Sequence, residues 1–353
     1  MMLPATYLST LLLLIFSMVC WGSWANTQKA VGKWRFELFY YDYSFGVVIA
    51  AVIAAFTFGS MNAHELTFSD NLLIASLRKM AWAIGSGVVF NLANLLLVAA
   101  IAVSGLAVAF PVSIGLALVI GVIWNYALNP QGNATLIFGG AALVLVAMIV
   151  DGFAYSRHLS DKAEAAAAAR LADPRSKART PRKTSAARGV VISILSGILM
   201  GLFYPMLEIS KTGEDGVSPY GVALLFSIGI LASSLLYLPF FMYFPIQGEP
   251  IQARDYFSGT KGQHFWGLFG GLIWAAGGIA NFTASSAPLS VQVGPAISYA
   301  LGQGSVMVST LWGLLVWREF AGATTRVKTL LVVMLVLFVC GLATVSIAPL
   351  YAK

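Results

Sequence analysis

Two amides stand three residues apart, Asn91 and Asn94, within the apolar run Gly87-VVFNLANLLLVAA. Residues three apart share one face of a helix. A buried amide without a hydrogen bond costs roughly 2–7 kcal/mol, so that face must meet something polar. The chemistry on offer is neutral hydrogen bonding, either between helices as intramembrane glue or to a solute. A second apolar stretch carries Ser298, Tyr299, Gln303 and Ser305 among Gly294, Pro295, Gly302 and Gly304. Glycine and proline loosen a helix and free backbone groups. Pro111, Ser113 and Gly115 sit comparably in an earlier stretch. Interrupted helices in corresponding halves of a chain mark transporter sites. Kinked packing alone explains the prolines but not Gln303.

Aromatic groups add a second element. Trp21 and Trp24, three apart, with Tyr204 and Trp274 can stack on a planar or ring-shaped solute. Trp24 and Trp34 are expected to be interfacial anchors, the commoner role of Trp near a span end. Charge is scarce: Asp42, Asp151, Glu208 and Glu319 all lie within a turn or two of a predicted span end. There a solvated carboxylate is the ordinary reading, although an intramembrane acid is a functional candidate, including as a proton relay. Glu208, after Tyr204-Pro205, is the first candidate for ion coupling and Asp42 the second. Lys and Arg are absent from mid-span, which favours a neutral polar cargo over a strongly anionic one. His64, His158 and His264 stand at span edges or in loops, and Cys20 and Cys340 are isolated. No metal, cofactor or nucleophile–base constellation follows from them, which disfavours an enzyme.

The elements that must position these groups are membrane helices. The 353 residues are 59% hydrophobic and 10% charged, with a mean hydropathy of +0.82. A soluble domain carries roughly 25% charged residues. Windows of about 20 apolar residues give ten spans, near 4–25, 42–60, 79–101, 105–127, 134–156, 189–209, 219–244, 264–285, 291–317 and 326–348. The apolar N-terminus lacks a positive n-region and an A-x-A site, so it reads as a retained first helix.

Residues 157–188 form a basic, Ala-rich connector with Pro174 and Pro181, in which a short surface helix is expected around Ala163–Ala172. It separates a first five-helix unit (1–156) from a second (189–353). Placing it in the cytoplasm puts seventeen Lys and Arg on the inside and four outside. Both termini are then extracytoplasmic, and the +7 charge needs no nucleic acid to explain it. An odd number of spans per half inverts the second half, the condition for an inverted repeat with a midplane site. Asn91-Leu-Ala-Asn94 followed by Pro111 parallels Gly278-Ile-Ala-Asn281 followed by Pro288 and Pro295.

Several segments resemble the ureide permeases: Cys20-WGSWANTQKAVGKW, Tyr40-YDYSFGVVIAAVIAAFTFG, Gly87-VVFNLANLLLVAAIAVSGLAVAF and Gly121-VIWNYALNPQGN. So do Gly270-GLIWAAGGIANFTAS and Thr310-LWGLLVWREF; the bacterial glucose/ribose porters are a neighbouring group, and both belong to the drug/metabolite transporter superfamily. The resemblance covers nearly all of the chain except the connector. It implies ten helices, an inverted repeat, and uptake of ureides, nucleobases or sugars with protons. Tyr41-Asp42-Tyr43, Asn91, Asn94 and Asn125 map onto family motifs. No GxxxxGK[ST] occurs in the connector, a departure that removes support for nucleotide control.

The expectation is an all-α, multi-pass cell-membrane protein of ten helices in two inverted five-helix repeats. It would act as a proton-coupled importer of a small neutral polar solute, with no cofactor. Asn91, Asn94 and Gln303 would hydrogen-bond the cargo; Trp274, Tyr204, Tyr299, Trp21 and Asn281 would complete the site; Glu208 and Asp42 would couple it. An exporter of metabolites or drugs fits the same sequence, and a membrane-embedded enzyme or a cargo-free scaffold are the rivals from other classes.

Overall fold

The computed structural model describes residues 1–61, 66–172, 186–245, 248–288 and 290–351. These residues are helical throughout, with no strand among them. In chain order the α-helices are α1 (Tyr7–Ser23), α2 (Ala25–Ala30), α3 (Phe36–Phe56), α4 (Phe68–Ile74), α5 (Leu77–Ser104), α6 (Leu106–Leu128) and α7 (Ala134–Ala172). The second half holds α8 (Ala186–Lys211), α9 (Pro219–Tyr243), α10 (Lys261–Ser285), α11 (Pro295–Gly302), α12 (Ser305–Leu315) and α13 (Thr325–Ile347). Nine helical segments among the described residues, α1 and α2 counting as one, are long and apolar enough to cross a membrane.

The tenth predicted span, 291–317, is instead two short helices, α11 and α12, parted at Gln303 and Gly304. Close packing against α1 accompanies the break. A Cβ on Gly302 would lie 2.6 Å from the Trp21 ring, and one on Gly304 would lie 2.4 Å from Met18 Sδ. The ten-helix reading is compatible with this arrangement when α11 and α12 count as one discontinuous span.

Two boundaries move in ways that matter. Helix α7, the fifth predicted span, passes its predicted end at residue 156 and continues to Ala172. The connector composition cannot build a core, but an Ala-rich stretch needs none to prolong a helix already nucleated. The pair Arg157–Asp161, at 2.9 Å and four residues apart, supports that prolongation. Asp151 therefore stands deep inside α7 and not near its end. The third helix starts at Phe36, so Asp42 also lies almost two turns inside a helix. His158 is buried against Phe320, its Nε2 2.9 Å from the Glu319 carbonyl, where a surface histidine was expected. His64 falls outside the described residues.

Each central helix of one half packs on helices of the other. Helix α5 lies on α8 and α9, α10 on α1 and α3, α6 on α8, α12 on α1, α3 on α9, and α7 on α13. Exchanging the halves turns this set into itself, which is compatible with the inverted repeat. The two equivalent crossings use the same device. At α5–α9 a Cβ on Gly87 would meet the Phe226 carbonyl oxygen at 2.1 Å, and one on Gly229 the Ile84 oxygen at 2.2 Å. At α3–α10 the corresponding approaches are Gly46 to Leu268 at 2.1 Å and Gly271 to Tyr43 at 2.0 Å. Small residues let backbones touch, gaining dispersion where no hydrophobic effect operates between helices. These contacts match Gly87 to Gly271, which places Phe90 opposite Trp274. The sequence parallel of Asn91 with Gly278 is thus displaced by about one helical turn.

The crossings yield a stability prediction. Gly87→Val should destabilise the detergent-solubilised protein by roughly 1–3 kcal/mol through overpacking. Gly139→Ala, on α7 with nothing near its added Cβ, should be neutral or slightly stabilising. Equal melting curves for the two variants would remove the close-approach account of this crossing.

Candidate functional site

The break between α11 and α12 opens onto a cavity of about 160 Å³ walled by α1, α5, α6, α8, α10 and α12. Its floor is aromatic. The Trp21 and Trp274 rings stack at 5.8 Å with 19° between planes, and Phe90 lies 4.6 Å from Trp274. Phe203 meets Phe90 edge-on at 5.1 Å. The Trp21 indole N–H donates to the Trp274 carbonyl at 3.2 Å, which fixes that ring on α10. Such a surface suits the flat face of a ring.

The polar groups on the cavity wall are uncharged: Asn94, Gln303, Ser305 and Ser309. Gln303 sits at the helix break, where its backbone N–H reaches the carbonyls of both Tyr299 (3.3 Å) and Ala300 (3.2 Å). Ser305 and Ser309, four apart, share a face of α12. None of the Gln303, Ser305 or Ser309 side chains hydrogen-bonds another described residue. Asn94 is held by one contact, its Nδ2 donating to the Tyr40 hydroxyl at 3.0 Å. The rim residues Ala25 and Ser309 are exposed, on the end of the bundle that carries the connector.

Of the residues picked from sequence, Asn94, Gln303, Trp274 and Trp21 meet in this cavity. The others lie elsewhere. Asn91 points from α5 to α9, its Nδ2 directed at Ser233 Oγ (2.8 Å), Ser234 Oγ (3.0 Å) and the Ile230 carbonyl (3.2 Å). That is the helix-gluing arrangement, with Ser44 and Ser234 hydroxyls adding a 2.9 Å contact to α3. Tyr204, Asn281 and Tyr299 form a buried layer on the side away from the connector. There the Tyr204 hydroxyl donates to Asn281 Oδ1 at 2.6 Å, and Asn281 Nδ2 donates to the Ser298 carbonyl at 3.2 Å. The Tyr299 hydroxyl faces the Ala117 and Met200 carbonyls, both at 3.2 Å.

The two coupling candidates lie at opposite ends. Glu208 Oε1 is 2.7 Å from Lys211 Nζ and accepts from Ser285 Oγ at 3.1 Å. Lys211 also donates to Ser285 (2.6 Å) and Ser286 (3.1 Å), tying α8 to α10 beyond the buried layer. Asp42, at the connector end, accepts from the Tyr256 hydroxyl at 2.5 Å and sits 2.8 Å from His264 Nδ1. Burial and the Asp42 carboxylate push the Tyr256 hydroxyl well above the ordinary tyrosine range, so it stays protonated and donates to Asp42.

Sequence reasoning passed over Phe90, Phe203 and Ser309. Trp24 was expected to anchor the interface; it lines the cavity with its ring 4.9 Å from Tyr43. The i, i+4 spacing of Ser305 and Ser309 was a readable signal. No group of three His, Cys, Asp or Glu side chains among the described residues is placed to hold a metal.

Comparison with known proteins gives a consistent result. The family model "Ureide permease" matches residues 39–187 and 160–348. Ureide permease 1 of Arabidopsis thaliana is 26% identical over 89% of this chain and 90% of its own length. Ureide permease 5 of the same plant is 26% identical over 97% and 94%. A solved crystal structure with 15% identity superposes with a TM-score of 0.60, covering 96% of this chain and 97% of the other, a likeness of fold alone.

The geometry separates binding from packing by substitution. Gln303→Ala should raise the KM for transported solute about 3- to 10-fold, the loss of one or two neutral hydrogen bonds, and leave melting unchanged. Asn91→Ala should lower stability by about 1–3 kcal/mol with a smaller effect on KM. Transport kinetics beside melting curves check both, and the reverse pattern would sink the assignment.

Proposed function

We propose that this chain, which belongs to the ureide permease family and is therefore a transporter and not an enzyme, imports a small neutral polar ring solute by alternating access coupled to protons. The cargo class is a ureide, with nucleobases and sugars as the wider range. One observation carries the reading: the cavity pairs an aromatic floor with uncharged hydrogen-bonding groups, of which the Gln303, Ser305 and Ser309 side chains have no partner among the described residues. A ring with amide edges satisfies both, stacking on Trp274 and Trp21 while its N–H and C=O groups meet Gln303, Asn94, Ser305 and Ser309. The absence of a charged side chain from the lining gives an ionic cargo nothing to replace its hydration.

Access alternates between two ends. Toward the connector the rim is open at Ala25 and Ser309. Away from it, the path meets the Tyr204–Asn281–Tyr299 layer and then the Glu208–Lys211–Ser285 network. The matched packing of the halves supports a rocking exchange. Beside the open rim α1–α2 is already joined to the α12–α13 region: Trp312 Nε1 donates to Ser23 Oγ at 2.8 Å, Trp317 Nε1 to Asn26 Oδ1 at 2.6 Å, and Lys29 pairs with Glu319. The charge bias of the loops makes the connector end cytoplasmic, so the open state faces inward.

Proteoliposomes offered allantoin, uracil, xanthine, glucose or ribose test the cargo. Allantoin should accumulate when the exterior is acidic and not when the gradient is collapsed. Accumulation only against the gradient, or of none of these solutes, would overturn the reading. Sidedness is checked in a variant with Cys20 and Cys340 replaced by Ser. An impermeant maleimide applied to intact cells should label Asp215→Cys and spare Asp255→Cys.

A further inference from the structure

Of the carboxylates singled out in the sequence, three have an ionisable or cationic partner. Asp42 has His264, Glu208 has Lys211 and Glu319 has Lys29. Asp151 has none. It stands in the apolar part of α7, half-buried and six residues before Arg157, roughly 9 Å along the axis at 1.5 Å per residue. Its side chain meets one polar group, the Thr310 hydroxyl on α12, 3.3 Å from Oδ2.

The surroundings offer nothing to neutralise it. Helix α6 contains no charged residue, and its Tyr126 packs on Phe138 near the far end. Helix α12 contains none either; on α11, Tyr299 turns its hydroxyl to the Ala117 and Met200 carbonyls. The charges of α13, Arg326 and Lys328, lie in its first turn. On α7 itself Tyr155 packs on Phe320, Arg157 pairs with Asp161, and His158 is bound to the Glu319 carbonyl. A bare carboxylate at this depth is costly, and an intramembrane acid without a partner is a functional group by default.

Its one contact is also the one that matters. Thr310 follows Ser309 directly, and the Thr310 hydroxyl also lies 3.0 Å from the carbonyl of Val306; Ser309 and Val306 line the solute cavity. Proton occupancy of Asp151 and solute contact at Ser305 and Ser309 therefore bias the same short helix, which is what linkage between two ligands requires.

We propose that Asp151 is the group that carries the coupled proton, a role that rests on the proton-coupled reading above. On the acidic side an O–H bond forms at the Asp151 carboxylate as a hydronium ion gives up a proton and becomes water. The neutral acid then tolerates the closed state that a carboxylate resists. After the halves rock, that O–H bond breaks and the proton leaves to water on the other side, one per solute. Glu208 and Asp42, held in their own networks, become end-closure groups.

The test compares wild type, Asp151→Asn and Asp151→Glu in proteoliposomes with labelled allantoin. Asp151→Asn should lose gradient-driven accumulation by at least about tenfold, yet keep solute exchange between loaded vesicles, without a gradient, within about twofold of wild type. Asp151→Glu should retain accumulation. Accumulation by Asp151→Asn that still follows the proton gradient overturns the assignment, as does its loss of exchange together with accumulation. A wild type that exchanges allantoin but ignores the gradient overturns proton coupling itself, and a wild type that exchanges none overturns the cargo reading.

Discussion

Hydrocarbon supplies no hydrogen bonds, and everything specific about this molecule follows from that. A polar side chain inside the bundle must find a partner in another helix or face a space that something polar can enter. The buried amides divide along that line. Asn91 spends its donors on α9 and Asn281 bridges Tyr204 to the Ser298 carbonyl, so both hold helices together. Gln303, Ser305 and Ser309 have no such partner and border the cavity. Their unsatisfied capacity is stable only if water or a solute fills it, which is how a membrane protein keeps a site ready without keeping it charged.

The scaffold is nearly symmetric while the site is not. Glycine pairs set the same close crossing at α5–α9 and at α3–α10. Gly105 and Gly294 start α6 and α11 with nearly the same left-handed geometry, φ of 81° and 80°. Both positions would strain any side chain bearing a Cβ. Upon this frame Phe90 and Trp274 face one another from equivalent helices, so the aromatic floor straddles the pseudo-axis. Asn94 comes from one half alone and Gln303 from the other. A solute lying between them touches both halves, so under the alternating access proposed above its binding energy depends on how the halves are tilted.

Much of this was legible in the residues. Hydropathy and span length gave the helices because a 20-residue apolar run has few other solutions in lipid. The Gly302-Gln303-Gly304 interruption pointed to the break and to Gln303. Other features were hidden for physical reasons. Asn91 and Asn94 share a face by spacing, but a helical face spans wide enough for one amide to meet α9 and the other Tyr40. Trp24 stands where an anchor would, and only the packing of α1 on α10 and α12 turns it inward. Composition made residues 157–172 look like a connector, since the stretch has no apolar face. A helix can outrun its own core, so the carboxylate at residue 151 stands well inside α7 and not near a helix end.

That displacement changes how the remaining charges are to be understood. Paired ions at Glu208–Lys211 and Lys29–Glu319 lie toward opposite ends of the bundle, each linking elements that approach one another at that end. An ion pair within a low-dielectric wall is poor at stabilising a fold outright, because desolvation offsets most of its attraction. It is better at distinguishing two arrangements, since water entering one end solvates that pair while the other stays dry. If the halves alternate as proposed, pairs placed at the two ends oppose one another in that equilibrium. The uncharged cavity between them leaves the balance to be tipped by what binds there, and Asp151 is, of the four carboxylates singled out in the sequence, the one without an ionic partner among the described residues.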